Sequence, residues 1–290
     1  MNQPGLPGRA LCSGATWETP PRALSIAGSD SAGGAGMHAD LRAFLTCGVH
    51  GMTAVTAVTV QDSLGVKSFV EIPAETVAAQ IEAVTSDIGV DAAKTGMLAS
   101  ASIIRAVAKA CHQAGIGRDA AAPFVVDPVA ASMHGDPLLH ADALDALRDE
   151  LFPMATLVTP NLDEVRLLTG VDVRTRDQLA DAARAVHALG PQWTLIKSGH
   201  LTEDPECVDL LFDGTEFYEL PGARFDTPHT HGGGDTMASA ITSALARGAS
   251  VLDAVRFGKR FVQRAVAHSY PLGAGVGPVS TFWRVSTKPI

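Results

Sequence analysis

Apolar positions recur along this chain in two rhythms. Short runs rich in apolar and β-branched residues alternate with stretches whose apolar residues lie three and four apart, the patterns of buried strands and amphipathic helices. Ala23-Leu24-Ser25-Ile26-Ala27 reads as a buried strand, Gly28 to Gly36 as a glycine-rich loop and Met37 to Thr46 as a helix. Thr53-Ala54-Val55-Thr56-Ala57-Val58 is strand-like through its β-branched residues. Pro73 to Ser86 is helical with Val77, Ile81 and Val84 on one face, Ala92 to Thr95 is a short strand, and Ser100 to His112 is helical with Ile103, Ile104, Val107 and Cys111 inward. Pro123 to Asp127 and Thr156 to Thr159 are strands stopped by Pro128 and Pro160, with a helix from Ala141 to Leu151 between them. Helices are predicted over 162–168 and 175–189, a strand over 193–197, and a hairpin of Val208–Phe212 with Glu216–Glu219 about Asp213-Gly214. Helices over 234–247 and 252–268 close the pattern.

This alternation predicts an α/β fold, a central and mostly parallel sheet with helices on both faces. Residues 1–22, rich in Gly and Pro, read as a mobile tail, and residues 23–290 as a single domain without internal repeat or linker. In such sheets ligands sit beyond the carboxyl ends of the strands. Polar segments fall at those ends: Gly28–Gly36, Gln61-Asp62, Lys94–Met97, Asp127–Val129, Asn161–Glu164 and Lys197–His200.

Composition narrows the function. Residues of the AVILMFWYC class make up 46% of 290 residues and charged residues 18%, enough for a sizeable core and against wholesale disorder. The net charge of −9 disfavours nucleic acid or an anionic membrane as partner, so an anionic substrate needs a local cluster of donors. Cys12, Cys47, Cys111 and Cys207 show no metal or disulfide spacing, and the ten histidines form no H-x-x-x-H pair. A reducing cytoplasm fits, no apolar run is long enough to span a bilayer, and the N-terminus lacks the pattern of a signal peptide.

The most informative segment is Thr230-His231-Gly232-Gly233-Gly234-Asp235. Three glycines let backbone approach a ligand, and they run into a helix start whose free N–H groups and dipole favour an anion. Asp235 is either a favourable charge in the first turn or a base beside a bound phosphate. The segment is not a Walker A loop, since the chain's only Gly-Lys pair, Gly258-Lys259, is followed by Arg260. Gly34-Ala35-Gly36-Met37-His38-Ala39 matches G-x-G-x-x-A, but no acid closes the second strand, so a dehydrogenase is a minor alternative. Asn161 and Glu164 form either a capping arrangement or a water-mediated Mg²⁺ site. Asp127 is a turn former or a cation site, Lys197 a phosphate ligand or a solvated charge, and Gln61 a reader of an aminated ring or a cap of its own strand.

In order, these segments, with Asp40-Leu41, Gly135-Asp136-Pro137-Leu138-Leu139 and Gly275-Val276-Gly277-Pro278, resemble the bacterial hydroxymethylpyrimidine/phosphomethylpyrimidine kinases of thiamine biosynthesis, within the ribokinase-like superfamily. The resemblance covers about residues 22 to 285 and implies ATP-dependent phosphorylation of 4-amino-5-hydroxymethyl-2-methylpyrimidine, then of its monophosphate. It implies a pyrimidine pocket of Gly28, Asp40, Gln61, Met97 and Val129, and a nucleotide side of Lys197, Thr230, Gly232 and Gly234. Asp127 and Glu164 match the Mg²⁺ surroundings, and Asp235, Gly232 and Gly234 the catalytic turn. The implied partners are the pyrimidine and ATP, with a homodimer as one assembly. Three features depart from the family pattern: Asp235 where many members carry Cys, the less polar Ala130-Ala131-Ser132-Met133-His134, and Ala274 and Val276 where His is common. A pyridoxal or pyridoxine kinase is the nearest rival, and a non-catalytic binding module the rival of another class.

Overall fold

A computed structural model describes residues 19–130, 138–140, 142–201 and 204–285. Among these, parallel strands β1 (Arg22–Ala27) and β2 (His50–Val55) flank helix α1 (Gly36–Thr46), with β1 paired on its other side to β5 (Ala92–Thr95). β6 (Phe124–Val126), β7 (Leu157–Val158) and β8 (Trp193–Ile196) extend the parallel set. β9 (Asp209–Phe212) and β10 (Phe217–Leu220) close one edge as an antiparallel hairpin, giving the eight-stranded order β10-β9-β8-β7-β6-β5-β1-β2. The expected mostly parallel sheet is present. Its first strand begins at Arg22, one residue before the expected boundary, because Arg22 already pairs in register with His50 of β2; its side chain also meets Asp91 at 2.7 Å.

Both faces of the sheet are buried, and the side-chain alternation of a strand decides which residue goes where. Phe124 and Val126 enter one core while Val125 enters the other; Val158 and Ile196 are likewise opposed to Leu157 and Leu195. The first core is covered by α2 (Ala74–Asp87), α3 (Ala101–Gln113), α5 (Leu162–Thr169) and α6 (Leu179–His187), through Val77, Ile104, Val165 and Val186 among others. The second is covered by α7 (Gly233–Ala246) and α8 (Val251–Ala267), through Met237, Ile241 and Val255. Helix α7 is buried from Thr236 to Leu245, and α8 approaches it at Gly258, where a Cβ would lie 2.4 Å from Ile241 Cγ1.

Two expected elements need correction. Thr53–Val58 is not one strand: the chain leaves the main sheet at Thr56 and forms a separate two-stranded flap of β3 (Ala57–Asp62) and β4 (Gly65–Glu71). Thr56 is the junction. Its amide donates to Ala27, its hydroxyl donates to the Met97 carbonyl, and its carbonyl accepts from Ile72, closing the base of the flap. The helix expected over Ala141–Leu151 is α4 (Ala143–Ala146), which widens into a π-turn (Leu147–Leu151) and tightens into a 3₁₀ turn (Phe152–Met154) as Pro153 ends it. The readings of residues 1–18, of Ala131-Ser132-Met133-His134, of Gly135-Asp136-Pro137 and of a helix start at Ala141 lie outside the described residues. Among the described residues, no helix is long and apolar enough to cross a membrane.

Candidate functional site

The parallel strands deliver their carboxyl ends to one edge of the sheet. Gly28 follows β1, Lys94 to Met97 close β5, Asp127 follows β6, Asn161 follows β7 and Lys197 follows β8. The start of α7 faces this edge. Gly232 is its N-cap in the left-handed region (φ 73°), and a Cβ there would sit 2.0 Å from the Gly34 carbonyl oxygen. That position therefore requires glycine twice over, for conformation and for space. The Gly233 amide donates to the exposed Thr230 carbonyl, and the Thr236 amide to Gly232. The intervening amides of Gly234 and Asp235 have no backbone partner, leaving two orphan donors at the positive end of a long helix.

Two lysine clusters surround this turn. In the first, Lys94 Nζ lies 2.8 Å from Asp40 Oδ1 and 3.5 Å from Asp235 Oδ1. Asp40 also accepts from Ser25 Oγ at 2.5 Å and Ser239 Oγ at 2.6 Å, so β1, β5, α1 and α7 meet at one carboxylate. Lys94 and Asp40 have no exposed surface, while the Asp235 side chain is 15% exposed. Burial works against the Lys94 charge, but Asp40, Asp235 and Asp127 outweigh it and raise its pKa, so it stays an ammonium. Beside it, a Cβ on Gly96 would lie 3.6 Å from Lys94 Nζ and 3.8 Å from Asp235 Oδ1; the missing side chain leaves that flank of the carboxylate clear.

In the second cluster, Lys197 Nζ donates to Asp127 Oδ1 at 2.8 Å, and Thr159 Oγ1 donates to the same oxygen at 3.0 Å. The other oxygen, Oδ2, would be 3.6 Å from a Cβ on Gly234, and Lys197 Nζ 3.3 Å, so this pair abuts the turn of α7. Burial opposes the Lys197 charge, yet Asp127 and Glu164 raise its pKa. Glu164 serves two environments. It completes a capping box, its Oε2 accepting the Asn161 amide at 2.8 Å while Asn161 Oδ1 accepts the Glu164 amide at 2.9 Å. Burial, reinforced by the Asp127 charge, pushes its carboxyl up to about 7 against the pull of Lys197.

The flap contributes from above. A bulge between Val60 and Gln61 re-aims Gln61 at the end of β3, and its Nε2 lies 3.4 Å from His231 Nε2. At the flap base, a Cβ on Gly28 would touch Met97 Sδ at 3.2 Å and the Ala57 carbonyl at 3.6 Å. Met97 is buried and Val129, just after β6, is half-buried against the same core. The structure thus brings Asp40, Asp235, Asp127, Glu164, Lys197 and Gly234 into one connected set, with Gly28 and Met97 packed together at the foot of the flap and Gln61 beside the turn. A separate groove of about 650 Å³, bounded by Gly222, Phe225, Arg260 and Gln263 among others, contains none of the expected site residues.

This layout has known counterparts. The family model for phosphomethylpyrimidine kinase matches residues 30–280. The chain is 57% identical over 270 residues to the hydroxymethylpyrimidine/phosphomethylpyrimidine kinase of Mycobacterium leprae, covering 92% of this chain and 95% of that one. Among solved structures, the ADP complex of Bacillus subtilis pyridoxal kinase is similar with a TM-score of 0.82 at 38% identity, covering 91% and 99% of the two chains. Phosphomethylpyrimidine kinase from Clostridium difficile is similar with a TM-score of 0.73 at 35% identity, covering 84% and 99%. The chain belongs to the phosphomethylpyrimidine kinase family.

Membership removes the dehydrogenase alternative, and the structure shows what its apparent fingerprint does. A Cβ on Gly34 would strike the His231 ring at 2.4 Å, and Gly36 (φ 55°) packs on the Gly28 carbonyl. These glycines fit two loops together. Sequence reasoning left several members of the site without a role. Lys94 was legible only as a polar residue at a strand end, yet it carries the bond between Asp40 and Asp235. Asp30 and His231 pair at 3.1 Å across 201 positions. Lys259 bonds Asp209 at 2.7 Å, and Asp209 in turn accepts the Ser198 amide next to Lys197. Only the Lys94 position, lying inside an apolar strand, carried a signal of burial.

The charge balance bears on a divalent cation. Asp40, Asp235, Asp127 and Glu164 face only two ammonium groups, Lys94 and Lys197, so carboxyl groups outnumber cations in the cluster even with the Glu164 carboxyl raised to about 7. Among the described residues no cluster of three His, Cys, Asp or Glu side chains forms a direct metal cage. Such a donor set fits Mg²⁺ that keeps its waters and takes ligands from phosphate, with Asp127 and Glu164 as outer carboxylates.

Proposed function

We propose that residues 23–290 act as one ribokinase-like kinase domain that transfers the γ-phosphoryl group of ATP to 4-amino-5-hydroxymethyl-2-methylpyrimidine, and then to its monophosphate. The observation that carries this reading is Asp235: a partly exposed carboxylate in the first turn of α7, next to two unpartnered amides and 3.5 Å from a buried ammonium. Free thiols at Cys47, Cys111 and Cys207 support a cytoplasmic setting.

Phosphoryl transfer asks the protein chiefly for positioning and for neutralisation of charge. Asp235 accepts the hydroxymethyl proton as the oxygen attacks, with Gly96 leaving room for the alcohol carbon. The amides of Gly234 and Asp235, with the close backbone of Gly232 and Thr230, hold the charge that develops on the transferred group. Lys197 trades its Asp127 partner for a phosphate oxygen. Gln61 reads the ring nitrogens, and Gly28, Met97 and Val129 form the apolar floor beneath it. Asp40 acts one step back, since all of its polar contacts are to Lys94, Ser25 and Ser239. Mg²⁺, held through water by Asp127 and Glu164, would supply charge neutralisation for the phosphate chain.

The test is product analysis by mass with ATP and Mg²⁺, offering the pyrimidine, its monophosphate and pyridoxal in competition. Asp235→Asn lowers turnover of the alcohol by at least about 10²-fold with nucleotide binding retained. It costs the second transfer less, because a phosphate acceptor has no hydroxyl proton to surrender. Near-normal turnover of the alcohol would remove Asp235 from the role of base. The higher structural similarity to a pyridoxal kinase favours pyridoxal as a second substrate, and preference for it in the competition would reverse the assignment.

A further inference from the structure

His231 stands where three elements meet, and none of the roles above uses its side chain. Its backbone is pinned, the amide donating to Gly277 and the carbonyl accepting from Val279. Its ring fills the space beside Gly34, in the glycine-rich loop after β1, and is almost fully buried. Nε2 lies 3.1 Å from Asp30 Oδ2. Asp30 is 1% exposed and already accepts the amides of Ala32, Gly34 and Ala35, each at 2.8 Å. Burial alone would raise its pKa, but the His231 bond and those amides hold it below the usual carboxylate range. Asp30 is therefore an anion with only acceptor capacity, so His231 Nε2 must carry the hydrogen that points at it.

That assignment fixes something further away. The Gln61 side-chain amide approaches the same Nε2 at 3.4 Å. An N–H facing an NH₂ group brings two donors together, whereas the amide oxygen facing it shares the hydrogen with Asp30. Which end of an amide is oxygen is decided by such networks. The oxygen of Gln61 belongs against His231, and its NH₂ group is left as the end available to a ligand.

We infer that His231 is a positioning residue: clamped by Asp30, its Nε2–H sets the orientation of the Gln61 amide, so that the flap offers a hydrogen-bond donor to an acceptor nitrogen of a heteroaromatic alcohol. The inference deepens the proposed function and rests on its reading of Gln61 as the residue that meets the ring. It makes the site selective for rings with an unprotonated in-ring nitrogen.

The test combines a tautomer measurement with a double-mutant cycle. In the ¹⁵N-histidine-labelled wild-type protein, the His231 ring hydrogen facing Asp30 is on Nε2; an Nδ1–H tautomer with bare Nε2 overturns the inference and needs no variant. In kinetics, His231→Phe raises KM for the heteroaromatic alcohol about five- to tenfold, the scale of one lost hydrogen bond, with kcat and KM for ATP little changed. His231→Gln, which returns an N–H donor, recovers most of that loss. In a Gln61→Ala background, His231→Phe adds less than about twofold, since the two residues act as one unit. Effects that multiply in the double variant, a KM rise for ATP alone, or no rescue by His231→Gln would each overturn it. If Gln61→Ala itself leaves KM for the alcohol unchanged, the reading of Gln61 fails and the inference falls with it, whereas a large Gln61 effect with a silent His231→Phe sinks the inference alone.

Discussion

Lys94 and Lys197 occupy equivalent places in neighbouring parts of one sheet, each at a strand's carboxyl end with a carboxylate oxygen 2.8 Å away. Their surroundings differ in one decisive respect. Lys94 is sealed, and its partner Asp40 has further hydrogen bonds from two serine hydroxyls. Lys197 keeps 15% of its side-chain surface, lies against the glycine turn of α7, and shares its neighbourhood with a carboxyl group at about 7. A charge whose partners are complete and dry is a fixture, because moving it exposes the whole desolvation cost. A charge with an open side and an incompletely balanced neighbourhood can exchange one anion for another. The same residue type thus builds the frame in one cluster and handles ligand in the other.

Three experiments test that contrast, beginning with the largest effect. Lys94→Met strands Asp40 in the core and lowers stability by about 3–5 kcal/mol, read by urea or thermal unfolding. Adding Asp40→Asn restores part of that loss; a Lys94→Met variant as stable as wild type would show that the cluster is no frame. Lys197→Met costs less stability, since water reaches its open side, but lowers phosphoryl transfer by about 10²-fold, as removal of one donor to a developing charge does. Equal stability losses for the two lysine variants would erase the distinction. The smallest effect belongs to Glu164→Gln, which keeps the capping box because an amide can complete it. Glu164 sits above its ordinary value in the folded protein, so the native state holds more protons than the unfolded state between about pH 4.3 and its folded value. Wild-type stability therefore falls as pH rises through that window and levels off above it. Without nucleotide or divalent cation, Glu164→Gln flattens this slope, and its advantage over wild type widens from acid to neutral pH. Parallel pH profiles for the two proteins would place Glu164 outside the anionic cluster.

Much of the architecture was readable because its strands are buried on both faces and bounded by Pro or Gly. Phe124–Val126 and Leu157–Val158 were legible from apolar runs that stop at Pro128 and Pro160. The flap was not. Its strand Ala57–Asp62 turns Val58 and Val60 outward, half exposed, and continues the apolar run of β2 without a break in composition. What breaks it is Thr56, whose bonds to Ala27, Met97 and Ile72 come from three separate parts of the chain. At the site, Asp235, Asp127, Lys197 and Glu164 stood out because glycines or prolines put them at element ends. Asp30 and His231 did not, being joined across 201 positions.

By itself, the sequence determined the alternation of strands and helices, the edge of the sheet where chemistry gathers, and the glycine-rich turn that carries Asp235. These are local matters of periodicity, backbone freedom and capping, settled within a few residues. Only the tertiary structure decided which charges are paired, which are sealed, and which keep an open side. Ion pairing and desolvation depend on distances between residues far apart in the chain, and those distances exist only once the sheet, α7 and the flap have closed around them.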